Sequence, residues 1–167
     1  QAWITGMTSS TNFPTTAGAY KTTNSGGYDA YVFVLNSAGT AATYGTYIGG
    51  SSTDGGRGLA VADDGPVHMA GMSASTNYPV QNAEQPTNKG NYDFVRTIFE
   101  PDLSDIVCST YYGGTSTDMA QDVVLDPNAP YMDIVGGSVY TGFPVVDPGQ
   151  TYGTPGGYDA GVVKLNC

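Results

Sequence analysis

The chain has 167 residues, 40% of them hydrophobic, enough for one domain with a buried core and too apolar for a disordered chain. Only 12% of residues are charged and 24 are glycine, against usual shares of about 25% and about 7%, so turns are abundant and charges few. Fifteen acidic residues outweigh five basic ones for a net charge of −10, which opposes nucleic acid or an anionic membrane surface and favours a cation or a neutral partner.

No apolar run reaches the ~18 residues of a membrane span, so membrane insertion is not expected. The start at Gln1 without a basic-then-apolar leader is what a processed chain or a fragment gives. In chain order, the polar loop SSTNFPTTAGAY (9–20) comes first. DAYVFVLNSAGTAATYGTYIGG (29–50) is a pair of apolar runs about the turn Ser37-Ala38-Gly39-Thr40, a predicted hairpin. GLAVADDGPVHMAGMS (58–73) is a second, turning at Asp-Asp-Gly-Pro. The loop then returns as SASTNYPVQNAEQ (73–85) and again as SVYTGFPVVDPGQ (138–150). No segment sustains a helical period.

Those three loops place Pro14, Pro79 and Pro144 at equal intervals of 65, and Gly6, Gly71 and Gly136 keep the same spacing. Tyr28-Asp29, Tyr92-Asp93 and Tyr158-Asp159 follow them. A second block, TYIGGSSTDGGRGLAVADDG, matches TYYGGTSTDMAQDVVLDPNA and pairs Gly49-Gly50 with Gly113-Gly114 and Asp54 with Asp118. The period is about 65, a repeat architecture with one long loop per unit.

Each full repeat carries four strands, two hairpins joined by the Asn-Phe-Pro loop. This predicts an all-β fold of β-propeller-like four-stranded antiparallel blades, with about three repeats of roughly 65 residues. With a blade starting at GLAV, residues 1–50 hold strands two to four, 51–114 a complete blade and 115–167 strands one to three. The chain is then about 28 residues short of three full periods.

TGMTSSTNFPTTAGAYKTTNSGGYDAYVFVLNSAGT, followed by TYIGGSSTDGGRGLAVADDG and TYYGGTSTD, resembles the SBBP or "beta-propeller repeat" family of secreted and cell-surface bacterial and archaeal proteins. The resemblance implies a propeller-type fold and an extracellular or cell-surface setting, and carries no common catalytic residues to transfer. Two stretches depart from the pattern: NYDFVRTIFEPD replaces YDAYVFVLNS with an apparent deletion, and VLDPNAPYMD replaces the shorter turn.

Fewer than three complete blades cannot close a ring, and bare strand edges invite pairing by another chain. Self-association into a homo-oligomer or polymer is therefore the expected function, that of a non-enzymatic structural subunit of a filament or tube. The alternatives are a piece of a longer array and a surface module that binds glycans, with Tyr20, Tyr28, Tyr78, Tyr92, Tyr152 and Tyr158 available to stack on sugars. Catalysis is not expected. The single histidine, His68, lies on an alternating strand whose counterparts are Trp3 and either Met132 or Asp133, and no catalytic motif surrounds it. Asp54 and Asp118, in equivalent turns, with Asp63, Asp64 and Asp126, are the candidate oxygen ligands for calcium, set against the habit of turn aspartates to bond their own backbone. Cys108 and Cys167 are candidates for one disulfide, within or between chains, or for a buried strand residue and a free terminal thiol.

Overall fold

The computed structural model describes residues 1–61, 65–126, 129–140, 142–144 and 157–166, with backbone alone for 129–134. Ten strands and no helix are found among them: β1 (Ala2–Thr8), β2 (Asp29–Leu35), β3 (Ala42–Ile48), β4 (Asp54–Val61), β5 (Val67–Ser73), β6 (Asp93–Phe99), β7 (Ile106–Tyr112), β8 (Met119–Asp126), β9 (Ala129–Val139) and β10 (Asp159–Leu165). They form three antiparallel sheets in simple sequential order: β1-β2-β3, β4-β5-β6-β7, and β8-β9-β10. β4 begins at Asp54, four residues before the GLAV start expected from the apolar run. β6 is seven residues long, as β2 is, so the shortening of the middle repeat lies in the loop between Pro79 and Tyr92.

The middle sheet is covered on both faces. One core joins Val67, Met69, Val95, Phe99 and Tyr111 to Ala30, Val32, Val34 and Ile48 of the first sheet. A second joins Ala70 and Phe94 to Ala120, Val123, Val135 and Leu165 of the last. Period-two alternation lets one strand feed both cores, since neighbouring residues point to opposite faces. That is why β5 and β6 are buried at every position, their polar residues His68, Ser73, Asp93, Arg96 and Thr97 included.

Register corrects one sequence equivalence. Gly6 pairs with Tyr31 and Gly71 with Val95, and the glycine that pairs at the matching position of the last sheet, with Gly161, is Gly137. Gly136 has open space around it, whereas a Cβ on Gly137 would meet the Cα of Ala120 at 2.8 Å. A Cβ on Gly71 would likewise fall on the Gly55 carbonyl oxygen. Glycine is needed where β4 and β8 press their backbones against the neighbouring strand.

Candidate functional site

The repeated motifs converge where the long loops meet the Gly-Gly connections. The tyrosine of each Thr-Tyr-x-Gly-Gly segment clamps the Asn-x-Pro loop. Phe13 N–H donates to the Tyr47 hydroxyl at 2.9 Å, and that hydroxyl donates to the Ser10 carbonyl at 2.8 Å. In the middle sheet Tyr78 N–H donates to Tyr111 Oη at 2.9 Å, and Tyr111 donates to the Ser75 carbonyl at 2.6 Å. Two motifs more than 30 residues apart thus form one device. The tyrosines recur in the repeated blocks, but their role is not visible in local sequence, because the contact is purely tertiary.

Asp54 and Asp118 are fully buried, and both brace the connection that leads into their sheet. Gly50 N–H donates to Asp54 Oδ2 at 2.7 Å and Gly114 N–H to Asp118 Oδ2 at 2.8 Å. The hydroxyls of Ser73 and Ser75 also donate to Asp54, and Tyr140 N–H donates to Asp118 Oδ1 at 2.8 Å. These bonds use the carboxylates as anchors of chain geometry, and among the described residues no group of three His, Cys, Asp or Glu is placed to hold a metal ion. Asp63 and Asp64 lie outside the described residues. Asp126 ends β8 and pairs with Lys164 at 2.5 Å.

A second aspartate faces each anchor. A Cβ on Gly49 would meet Asp29 Oδ1 and Asp54 Oδ2, each at 2.9 Å, so the two carboxylates sit together around that glycine. Lys21 Nζ donates to Asp29 Oδ2 at 3.0 Å and to the Gly49 carbonyl at 2.6 Å. In the middle repeat a neutral amide takes the place of the ammonium: Gln85 Nε2 donates to Asp93 Oδ2 at 2.7 Å, and Gln85 Oε1 accepts from Gly113 N–H at 3.2 Å. Asp29 Oδ1 and Asp93 Oδ1 are buried without a hydrogen-bond partner. Burial raises the carboxyls of Asp54, Asp93 and Asp118 above the usual range, and the neighbouring carboxylate adds to the rise at Asp54 and Asp93.

The remaining candidates are spread through the structure. His68 is fully buried on β5, and Trp3 packs against the first core. Met132 and Asp133 lie on β9. Tyr78 is in the core, and the ring of Tyr20 packs edge-on to Phe99 with centroids 6.3 Å apart. Tyr92 lies beside Thr117 in a parallel bridge. Tyr28 and Tyr158 are exposed, and Tyr152 lies outside the described residues. Cys108 is buried, accepts a hydrogen bond from Arg96 Nη1 at 3.3 Å and is disulfide-bonded. Cys167, the other cysteine of the sequence, lies outside the described residues. No protein-family model and no curated protein matches the chain. No helix among the described residues is long and apolar enough to cross a membrane.

Proposed function

We propose that this chain is a non-enzymatic extracellular structural protein that self-assembles through the edges of its sheets, as a subunit of a filament or tube. In this reading each sheet is a propeller-type blade. The middle one has four strands, and among the described residues the first has none inside β1 and the last none outside β10.

The observation that carries the reading is Gly6. Its counterparts Gly71 and Gly137 are glycine because an inner strand lies hard against them, yet β1 is an edge strand and no backbone approaches Gly6 within 4 Å among its three nearest contacts, which are all atoms of the Tyr31 side chain. The position is shaped for a strand that the described residues do not supply. An edge with unpaired N–H and C=O groups is a template for strand addition. The disulfide at Cys108 supports an oxidising compartment, and the resemblance of the loop motifs to the SBBP repeats supports the extracellular setting.

Light scattering of the purified chain over a wide concentration range tests the proposal, with electron microscopy of the same samples. Growth into polymers or rings is the expected result. A uniform monomer at every concentration would refute it.

A further inference from the structure

The two sheet-to-sheet contacts inside the chain are of one kind and run head to tail. The face of the first sheet that carries Ala30 and Val32 packs on the face of the middle sheet that carries Met69 and Val95. The opposite face of the middle sheet, with Ala70 and Phe94, packs on the face of the last sheet that carries Val135. Ile4, Met69 and Val135 hold one register position, pairing with Phe33, Thr97 and Val163. Val32, Arg96 and Val162 hold another, pairing with Thr5, Ala70 and Gly136.

At both positions the outermost residue stands out. Met69 and Val135 are 0% exposed, but Ile4 is 38% exposed. Val32 and Arg96 are 0% and 1% exposed, but Val162 is 73% exposed. Val124 on β8, in line with Lys164 across Ile134 and so on the same face as Val162, is 52% exposed, while its counterpart Ala60 is packed against the second core. The chain therefore exposes aliphatic side chains on one face of the contact in its first sheet and on the opposite face in its last, where Lys164 stands in line with Val124.

Building on the self-assembly reading, we infer that the outer face of the last sheet stacks on the outer face of the first sheet of a second copy, repeating the contact that joins the middle and last sheets. Within the chain Phe94 reaches Gly137, where a Cβ would meet its ring at 2.7 Å, and packs on Phe143 with centroids 5.1 Å apart. The same register sets Ala160 of one copy over Gly6 and Phe13 of the next, with Val162 against Ile4. Phe13 is already held on that face by Tyr31 and Phe33, at centroid distances of 4.6 and 5.5 Å. Such a contact joins unlike surfaces, so it propagates as a filament or closes as a ring according to the rotation per copy.

The test compares the chain with Val162→Lys and Ile4→Lys by sedimentation velocity and negative-stain microscopy. Each substitution is expected to weaken assembly by about 30-fold or more. An equimolar mixture of the two should give a discrete dimer and nothing larger, since one intact contact remains between a head-blocked and a tail-blocked copy. Both residues are exposed, so unchanged melting temperatures should show that the folds are intact; where they change, Val162→Ser and Ile4→Ser take their place with the same readings. If the unaltered chain stays monomeric, the self-assembly reading falls and this contact with it. If it assembles and both variants assemble equally well, self-assembly stands and this contact is wrong. One variant blocked while the other assembles normally would also overturn it, by showing like faces meeting.

Discussion

β5 and β6 of the middle sheet are buried at every residue, whereas β1 and β2, their counterparts in the first sheet, leave Ile4 exposed and several others half-buried. The strands are equal in length and alike in register. What differs is the number of neighbours: two sheets flank the middle one and a single sheet flanks the first. Burial in a repeat architecture is set by the stack as much as by the strand's own residues, and equivalent substitutions should therefore cost different amounts in the two sheets.

Tyr78→Ala should produce the largest loss, about 4 kcal/mol, because a buried ring leaves a cavity between sheets. Phe13→Ala, at the half-buried equivalent, should cost about half of that by chemical denaturation. Equal losses would erase the distinction between covered and uncovered faces. Gly71→Ala comes next, at about 3 kcal/mol, since its methyl would meet the β4 backbone. At Gly6→Ala the three nearest atoms are the outer end of the Tyr31 ring, and the change gains about 0.4–1 kcal/mol from a less flexible unfolded chain, so the folded monomer should be almost unaffected. A large loss for Gly6→Ala in the monomer would mean that the position is closed after all.

Smaller still is the hydroxyl of the clamp. Tyr111→Phe removes the partner of two backbone groups in a buried site and should cost about 2 kcal/mol, against about 1 kcal/mol for Tyr47→Phe, where the partners are closer to water. Urea midpoints of the two variants check the order. The smallest effect is on pH dependence. Asp54, Asp93 and Asp118 bind their protons more tightly in the folded chain than in the unfolded one, so their contribution is fully present below the usual 3.8 and is lost as pH rises through the raised folded-state values. Mild acidification from neutral pH should raise the melting temperature by about 2–4 °C. Gln85→Lys, which copies Lys21 of the first repeat, should flatten that rise by giving Asp93 an ammonium partner. A rise left as steep in Gln85→Lys would separate the pH effect from these carboxylates.

The hairpins were legible because their signals are local: alternating apolar residues, Ser-Ala-Gly-Thr at one turn, and a loop repeated at even spacing. The all-β architecture and the repeat followed from those residues. Other features depend on what meets them in space. Two adjacent glycines at 136 and 137 make the alignment ambiguous, and only the register with Gly161 decides it. Asp54 and Asp118 read as turn residues open to a cation, while the structure surrounds them with hydroxyl and backbone donors from segments as far as 22 residues away. Leu103 gives no warning at all. It takes the left-handed conformation (φ 58°) that Gly39 takes at the equivalent turn (φ 69°), and its side chain is buried between sheets, where its carbonyl accepts Tyr20 N–H at 2.8 Å. An aliphatic side chain rarely occupies that region of backbone space, and here interior packing offsets the strain.

The tyrosine clamp has a consequence for how this scaffold tolerates change. In the loop, Tyr47 and Tyr111 bond the main chain at two matching points, the amide before the proline and the carbonyl of Ser10 or Ser75. The residue ahead of the proline can therefore differ, phenylalanine at 13 and tyrosine at 78, while the hydroxyl holds the same main-chain path in both loops. Beyond the clamped proline, the exposed Ala17-Gly18 turn, with open space beside Gly18, is where the first loop can carry a foreign peptide, and an ordered polymer would repeat it at a regular pitch along its length.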